Sequence, residues 1–223
     1  MVFHDRAEAG RRLAAKLTQY EGQEAVVFAL PRGGVPVAAP IAAMLHAPLD
    51  LVLARKIGVP FQPELAMGAV ADGGSPVVVR NEDVIAMAGV DEAAFDAACR
   101  RELAEIERRR QLYLGGRIRP EAMGRVAIVV DDGVATGATT RAALRAVQAR
   151  RPKTLVLAIP VAPTDVLEAL RAEADETVCL EVHAAFGAIG FFYADFHQLD
   201  DHEVMAILDR FGSRNQKAEG AAN

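Results

Sequence analysis

Two adjacent carboxylates, Asp131 and Asp132, are followed within eight residues by three threonines and two glycines, and no other stretch of this sequence is better suited to chemistry. The pair follows an unbroken apolar run, Val126-Ala127-Ile128-Val129-Val130, whose β-branched composition predicts a strand buried on both faces. A helix-forming run from Arg141 to Arg150 comes after the loop. Strand, acidic pair, small-residue turn and helix start together describe a pocket for a phosphorylated ribose. Amides at a helix N-terminus lack intrahelical partners and favour an anion. Gly133, Gly137 and Ala138 let a phosphate approach the backbone, Val134 and Ala135 keep the turn small, and Thr136, Thr139 and Thr140 add hydroxyl donors. Asp131 and Asp132 carry the phosphate's own sign, so their partners are sugar hydroxyls or a Mg²⁺ ion. No Gly-Lys-Ser/Thr follows the glycine, which excludes a Walker loop, and the dinucleotide spacing Gly-x-Gly-x-x-Gly is absent.

A second anion site is suggested near the N-terminus. Ala25 to Leu30 reads as a buried strand, Pro31-Arg32-Gly33-Gly34 follows at once, and a helix is predicted from Val35 to Leu45. A Gly-Gly turn between strand and helix is common alone; beside the acidic strand it gains weight. A further strand, Leu49 to Ala54, ends in Arg55-Lys56, either a solvated strand end or two cations aimed at an anion.

The stretch from Val126 to Thr140 resembles the phosphoribosyl-pyrophosphate (PRPP) motif of type I phosphoribosyltransferases: hydrophobic strand, two acids, then small-Thr-Gly-x-Thr. The resemblance implies an α/β fold, a parallel-sheet, Rossmann-like core with a helical insertion and a C-terminal hood. It implies transfer of the 5-phosphoribosyl group from PRPP to a nitrogenous acceptor, with release of diphosphate, in nucleotide metabolism. Residues Gly133 to Thr140 would hold the 5-phosphate. Asp131 and Asp132 would be catalytic, holding the ribose hydroxyls directly or through Mg²⁺. Arg32, Gly33 and Gly34 stand where the family's diphosphate loop lies, and Arg55 and Lys56 would join them through a looser match. Purine-salvage members carry an acid just before the loop's Thr-Gly; this chain has Ala135, which disfavours a 6-oxopurine acceptor. A PRPP-sensing protein that keeps the pocket without turnover is the alternative.

The elements that must position these groups follow from pattern. An amphipathic helix is expected over Asp5 to Gln19, with Ala9, Leu13 and Leu17 on its packing stripe and Arg6 off it. A hairpin is expected from Leu65 to Val79, and a long helix from Asp91 to Leu112 capped by Asp91. The glycine-bearing, basic linker Tyr113 to Pro120 is either a surface connection or a mobile cover over PRPP. Strands at Thr154 to Ile159 and Thr177 to Val182, alternating with helices, imply parallel pairing. Five of the chain's 12 Phe and Tyr crowd into Phe186, Phe191, Phe192, Tyr193 and Phe196. That cluster is either a clamp or subunit interface, or an acceptor hood in which Phe186, Phe191, Phe192 and Tyr193 stack on a flat base.

One domain over residues 1–211 is expected, with a core of about 22–160, an insertion of about 80–120, a hood of about 183–211 and a flexible tail at 212–223. The charge of −5 argues against a nucleic-acid partner. No run is long enough for a membrane span, no leader pattern is seen, and Cys99 and Cys179 form no metal or redox motif. A cytoplasmic protein is expected, with PRPP and a small acceptor as partners and a homodimer allowed.

Overall fold

The computed structural model describes residues 2–73 and 75–219, with side chains through Phe211. Five strands form one parallel sheet: β1 (Ala25–Ala29), β2 (Leu49–Leu51), β6 (Val126–Val130), β7 (Thr154–Pro163) and β8 (Glu176–His183), in the spatial order β2-β1-β6-β7-β8. This is the α/β parallel-sheet core that the sequence implies. β1 and β6 are buried at every position because helices cover both faces. On one face Val27, Ala29, Ile128 and Val130 join Leu13, Leu17 and Ile41. These come from α1 (Arg6–Ala14), its following 3-10 turn, and α2 (Gly34–Met44). On the other face Val26, Phe28, Ala127 and Val129 pack with Leu144, Val147, Leu167 and Leu170 of α5 (Ala138–Gln148) and α6 (Thr164–Arg171). Unbroken apolar runs are what such two-sided burial requires.

Four features depart from the expected elements, the first being that the helix expected over Asp5 to Gln19 ends at Ala14 and gives way to a 3-10 turn at Thr18–Tyr20. The predicted strand Leu49 to Ala54 is two strands. β2 stops at Leu51, and Ala54 opens β3 (Ala54–Val59), which pairs antiparallel with β4 (Gln62–Ala71), itself paired with β5 (Val77–Arg80). The expected hairpin is therefore part of a three-stranded antiparallel sheet. An unpredicted helix α3 (Glu82–Ala88) follows, capped by the Asn81 side chain on Val84 N at 3.3 Å. The long helix α4 (Glu92–Leu114) is capped by Asp91 as expected, with Ala94 N donating at 2.8 Å. Finally, α7 (Asp201–Glu219) continues past the expected end at Phe211. Residues 220–223 of the expected tail lie outside the described residues.

The linker after α4 is tied down at several points. Tyr113 donates to Asp201, and Arg117 donates to the Leu208 carbonyl at 2.9 Å and pairs with Asp209. Arg119 reaches inward: Nε meets Asp50 at 3.0 Å, one Nη meets Asp72 at 3.0 Å, and the other donates to Leu51 O at 2.7 Å. Asp50 and Asp72 are only 3% and 7% exposed, so Arg119 compensates two buried charges and fastens the antiparallel sheet to the edge of the parallel one. Arg119→Met should therefore lower unfolding stability by about 3 kcal/mol. Arg117→Met, whose partner Asp209 faces solvent, should lose less than about 1 kcal/mol. Urea unfolding of both variants checks this; equal losses would remove the assigned role of Arg119.

Candidate active site

The two loops singled out in the sequence lie side by side because β1 and β6 are neighbours in register, Ala29 opposite Val130. Leu30 N donates to Val130 O at 2.9 Å, carrying the pairing one residue beyond the strand. The chain then enters Pro31-Arg32, a cis peptide bond, and Gly33, before α2 begins at Gly34. The close approach explains the glycines. A Cβ on Gly33 would stand 1.9 Å from Asp132 Oδ2, and one on Gly34 would stand 2.6 Å from Val130 O. No side chain fits between the first loop and the acidic pair. Across the pair, Gly137 takes a left-handed φ of 75° as the residue before α5, and no side chain caps that helix. Its first-turn amides lie beside Thr136, which is exposed, and Thr139, which is half-buried.

Asp131 and Asp132 sit at the carboxyl end of β6, both largely but not fully enclosed by protein. Asp131 accepts from Asp132 N at 2.9 Å. Burial first, and then the charge of Asp132, hold the Asp131 carboxyl well above the usual carboxylate range. Burial also raises Asp132, opposed by a cation that the sequence did not announce. Arg6 Nε donates to Asp132 Oδ2 at 2.7 Å, with side chains only 9% and 13% exposed. The same guanidinium donates to His197 O at 3.0 Å and lies 3.8 Å from the centre of the Phe196 ring. Sequence periodicity placed Arg6 off the packing stripe of α1, which is correct for the helix core; its partners belong to distant segments. A cleft of about 400 Å³, lined by Pro36, His197, Glu203 and Arg210, opens on the far side of Arg6.

The other expected site residues are distributed as follows. Arg32 is half-buried and points toward α7, with one Nη 4.0 Å from Asp201 Oδ1. Burial and the hydrogen bond to Asp201 push the Tyr113 phenol up to about 12, so it remains a donor there. Arg55 and Lys56 are neighbours within β3 and therefore point to opposite faces of its sheet. Arg55 pairs with Glu102 of α4, and Lys56 Nζ pairs with Glu64 at 3.0 Å. Among the hood aromatics, Tyr193 is buried and donates to the Asp132 carbonyl at 2.6 Å, a strut beneath the acidic pair. Phe186 stacks on Phe192 at 5.2 Å, and Phe192 lies 4.7 Å from His183. Phe191 is 74% exposed. Ile189 reaches over Gly133, where an added Cβ would stand 2.7 Å from Ile189 Cγ2. The N-terminal segment is woven into this hood: Phe3 N donates to Phe192 O at 2.9 Å and Ala194 N to Phe3 O at 2.8 Å.

Residues 3–195 match the family described as the phosphoribosyl transferase domain. Two curated relatives, from the CDC 1551 and H37Rv strains of Mycobacterium tuberculosis, are each 48% identical over 209 residues, and each bears the name "putative phosphoribosyl transferase". The alignment covers 94% of this chain and 47% of each relative, so the chain spans about half the length of those relatives. The crystal structure of TT1426 from Thermus thermophilus superposes with a TM-score of 0.79 at 40% identity, covering 95% of this chain and 100% of that one.

The raised position of Asp131 has a consequence for stability. A carboxyl that binds its proton more tightly when folded favours folding at low pH, and that contribution is lost as pH rises above its ordinary unfolded value of about 3.9. Asp131→Asn removes the loss. The variant should melt at a higher temperature than the parent near neutral pH, and the difference should shrink as pH falls toward about 4 and change no further below it. Thermal melts across that range decide the matter; a variant that is less stable at neutral pH would contradict the cause given for the shift.

Proposed function

Because the chain belongs to the phosphoribosyl transferase domain family, we propose that it transfers the 5-phosphoribosyl group of PRPP to a nitrogenous acceptor. The observation that carries this reading is the contact of the Arg32-Gly33-Gly34 loop with Asp132. That contact brings the first loop against the carboxylate pair, on whose other flank the loop from Gly133 to Thr140 begins, and this supports a ribose bearing phosphate at both ends. In this reading the loop from Gly133 to Thr140 holds the 5-phosphate, and Asp131 and Asp132 accept hydrogen bonds from the ribose hydroxyls. Amides of the Arg32-Gly33-Gly34 loop and the Arg32 side chain hold the diphosphate. Arg55 and Lys56 would join them only by exchanging Glu102 and Glu64 for the ligand.

The C1–O bond breaks with its electron pair leaving on the diphosphate, and the acceptor nitrogen forms the new bond to C1. The ribose gains positive charge as this happens. Asp131 and Asp132 lie beneath it and stabilise that charge more in the transition state than in the ground state. Arg32 does the same for the departing diphosphate. The proton lost by the acceptor goes to the diphosphate or to solvent, since Ala135 supplies no base. Mg²⁺ would neutralise charge on the leaving group. Among the described residues no group of three or more acids, histidines or cysteines is arranged to hold a metal ion. Two carboxylates, one already paired with Arg6, suit an ion that arrives with the diphosphate and brings most of its ligands. Phe191, the most exposed of the hood rings, is the one we assign to stacking on an acceptor.

Diphosphate release from PRPP, measured with Mg²⁺ across a panel of nitrogenous acceptors, tests the proposal. Release with at least one acceptor is expected; binding without release would assign the pocket to PRPP sensing. Asp132→Asn should lower turnover about 100-fold, far more than it lowers thermal stability, since it also weakens the buried pairing with Arg6. Arg32→Ala should weaken inhibition by diphosphate about tenfold, and an unchanged inhibition constant would take Arg32 out of the site.

A further inference from the structure

Arg6 stands out among the groups that the proposed reaction leaves unused. Its guanidinium is fixed from three directions: by Asp132 at 2.7 Å, by the carbonyl of His197 at 3.0 Å and by the Phe196 ring at 3.8 Å. The helix that carries it is equally constrained. Asp5 caps α1 by accepting from Glu8 N at 2.7 Å. Four residues farther along, Gly10 lets α1 press against α2, where an added Cβ would stand 2.3 Å from Val37 O. Upstream, Phe3 is buried and bonded to the hood. A guanidinium fixed by three partners is already organised before any ligand arrives. A guanidinium at an acidic pair adds one fixed positive charge beside it, which changes what the pair can attract.

We propose that Arg6 is a positioning residue that acts as the built-in cation of the acidic pair. It holds Asp132 in a single orientation for the ribose hydroxyls, and it occupies the side of that carboxylate which a divalent ion would otherwise take. The proposal rests on the reading that a phosphorylated ribose binds over Asp131 and Asp132. Two consequences separate it from a purely structural ion pair. With Arg6 present, the free protein has little hold on a divalent ion, and a sugar phosphate binds without metal. With the charge removed, the two carboxylates face each other uncompensated. They then capture a divalent ion and repel an anionic sugar until that ion is supplied.

The experiment uses the full chain as wild type and as Arg6→Gln, Arg6→Met, Arg6→Lys and the double variant Arg6→Gln/Asp132→Asn, each first shown to melt cooperatively. Arg6→Met keeps the stem against Phe196 if the glutamine variant does not fold. Mn²⁺ alone is titrated and the free ion followed by electron paramagnetic resonance. Arg6→Gln and Arg6→Met should bind Mn²⁺ about tenfold or more tightly than wild type, a gain absent from Arg6→Lys and from the double variant. Equal Mn²⁺ affinity in wild type and both neutral variants overturns the proposal. PRPP is then titrated by calorimetry in chelator and again in excess Mg²⁺. The neutral variants should lose about tenfold in affinity in chelator and recover most of it with Mg²⁺, while wild type changes little. A loss that Mg²⁺ does not repair would overturn the positioning role. If wild type binds no PRPP under either condition, the phosphoribosyl reading fails, and the Mn²⁺ comparison still decides what Arg6 does.

Discussion

Every feature of the candidate site depends on the parallel pairing of β1 with β6. That register sets the ends of the two strands level, with Leu30 N still bonded to Val130 O beyond the last paired residues. Two loops that are a hundred residues apart in sequence are thereby pressed together so closely that Gly33 abuts the Asp132 carboxylate. In the proposed reading both loops are needed, one for each end of a doubly phosphorylated sugar. A helix N-terminus with small residues is a common anion cradle, and its meaning here comes from the second cradle fixed beside it. The sheet supplies the spacing, and burial on both faces keeps the sheet from shifting.

Charge is the second constraint. Two carboxylates pushed together at a buried strand end disfavour their own ionisation, and the surrounding structure answers with one cation and one neutral strut. Arg6 compensates Asp132 from the side, and the Tyr193 hydroxyl holds the backbone carbonyl of the same residue from below. Both arrive through the interlocked chain ends, where residues 2–4 run alongside 192–195. A different balance governs the edge of the sheet, where Asp50 and Asp72 are compensated by Arg119 and Asp50 also lies 3.5 Å from Arg150. That cluster joins the antiparallel sheet to the core.

Local chemistry was readable from the chain; distant pairing was not. The strand, acidic pair, loop and helix of residues 126–148 are contiguous, so apolar run, charge and small residues identified them together. The Pro31-Arg32-Gly33-Gly34 turn was legible for the same reason, although only the fold shows which atom forbids a side chain at Gly33. Arg6 escaped because its partner lies 126 residues away and a helical stripe speaks only of the core face. β3 escaped because Arg55 and Lys56 look like the solvated end of a strand; it is pairing with Gln62–Ala71 that continues it. The hood aromatics were visible as a cluster, but a count of rings could not tell Tyr193, a buried strut, from Phe191, an exposed face. The linker after α4 looked free from its glycines, yet Arg119 reaches into the interior through a contact that composition does not disclose.

The interlocking of the first residues with the hood makes this end of the chain a working part. Phe3 and Arg6 stand three positions apart on one short segment, so a single cut after Arg6 would separate both from the rest of the fold. A protein clipped before Ala7 would keep nearly all of its mass, yet lack the guanidinium that, among the described residues, meets Asp132. Batches differing by so small an end fragment would look alike on a gel and behave as different proteins in a binding cell, which makes intact mass a measurement to take before any comparison of affinities.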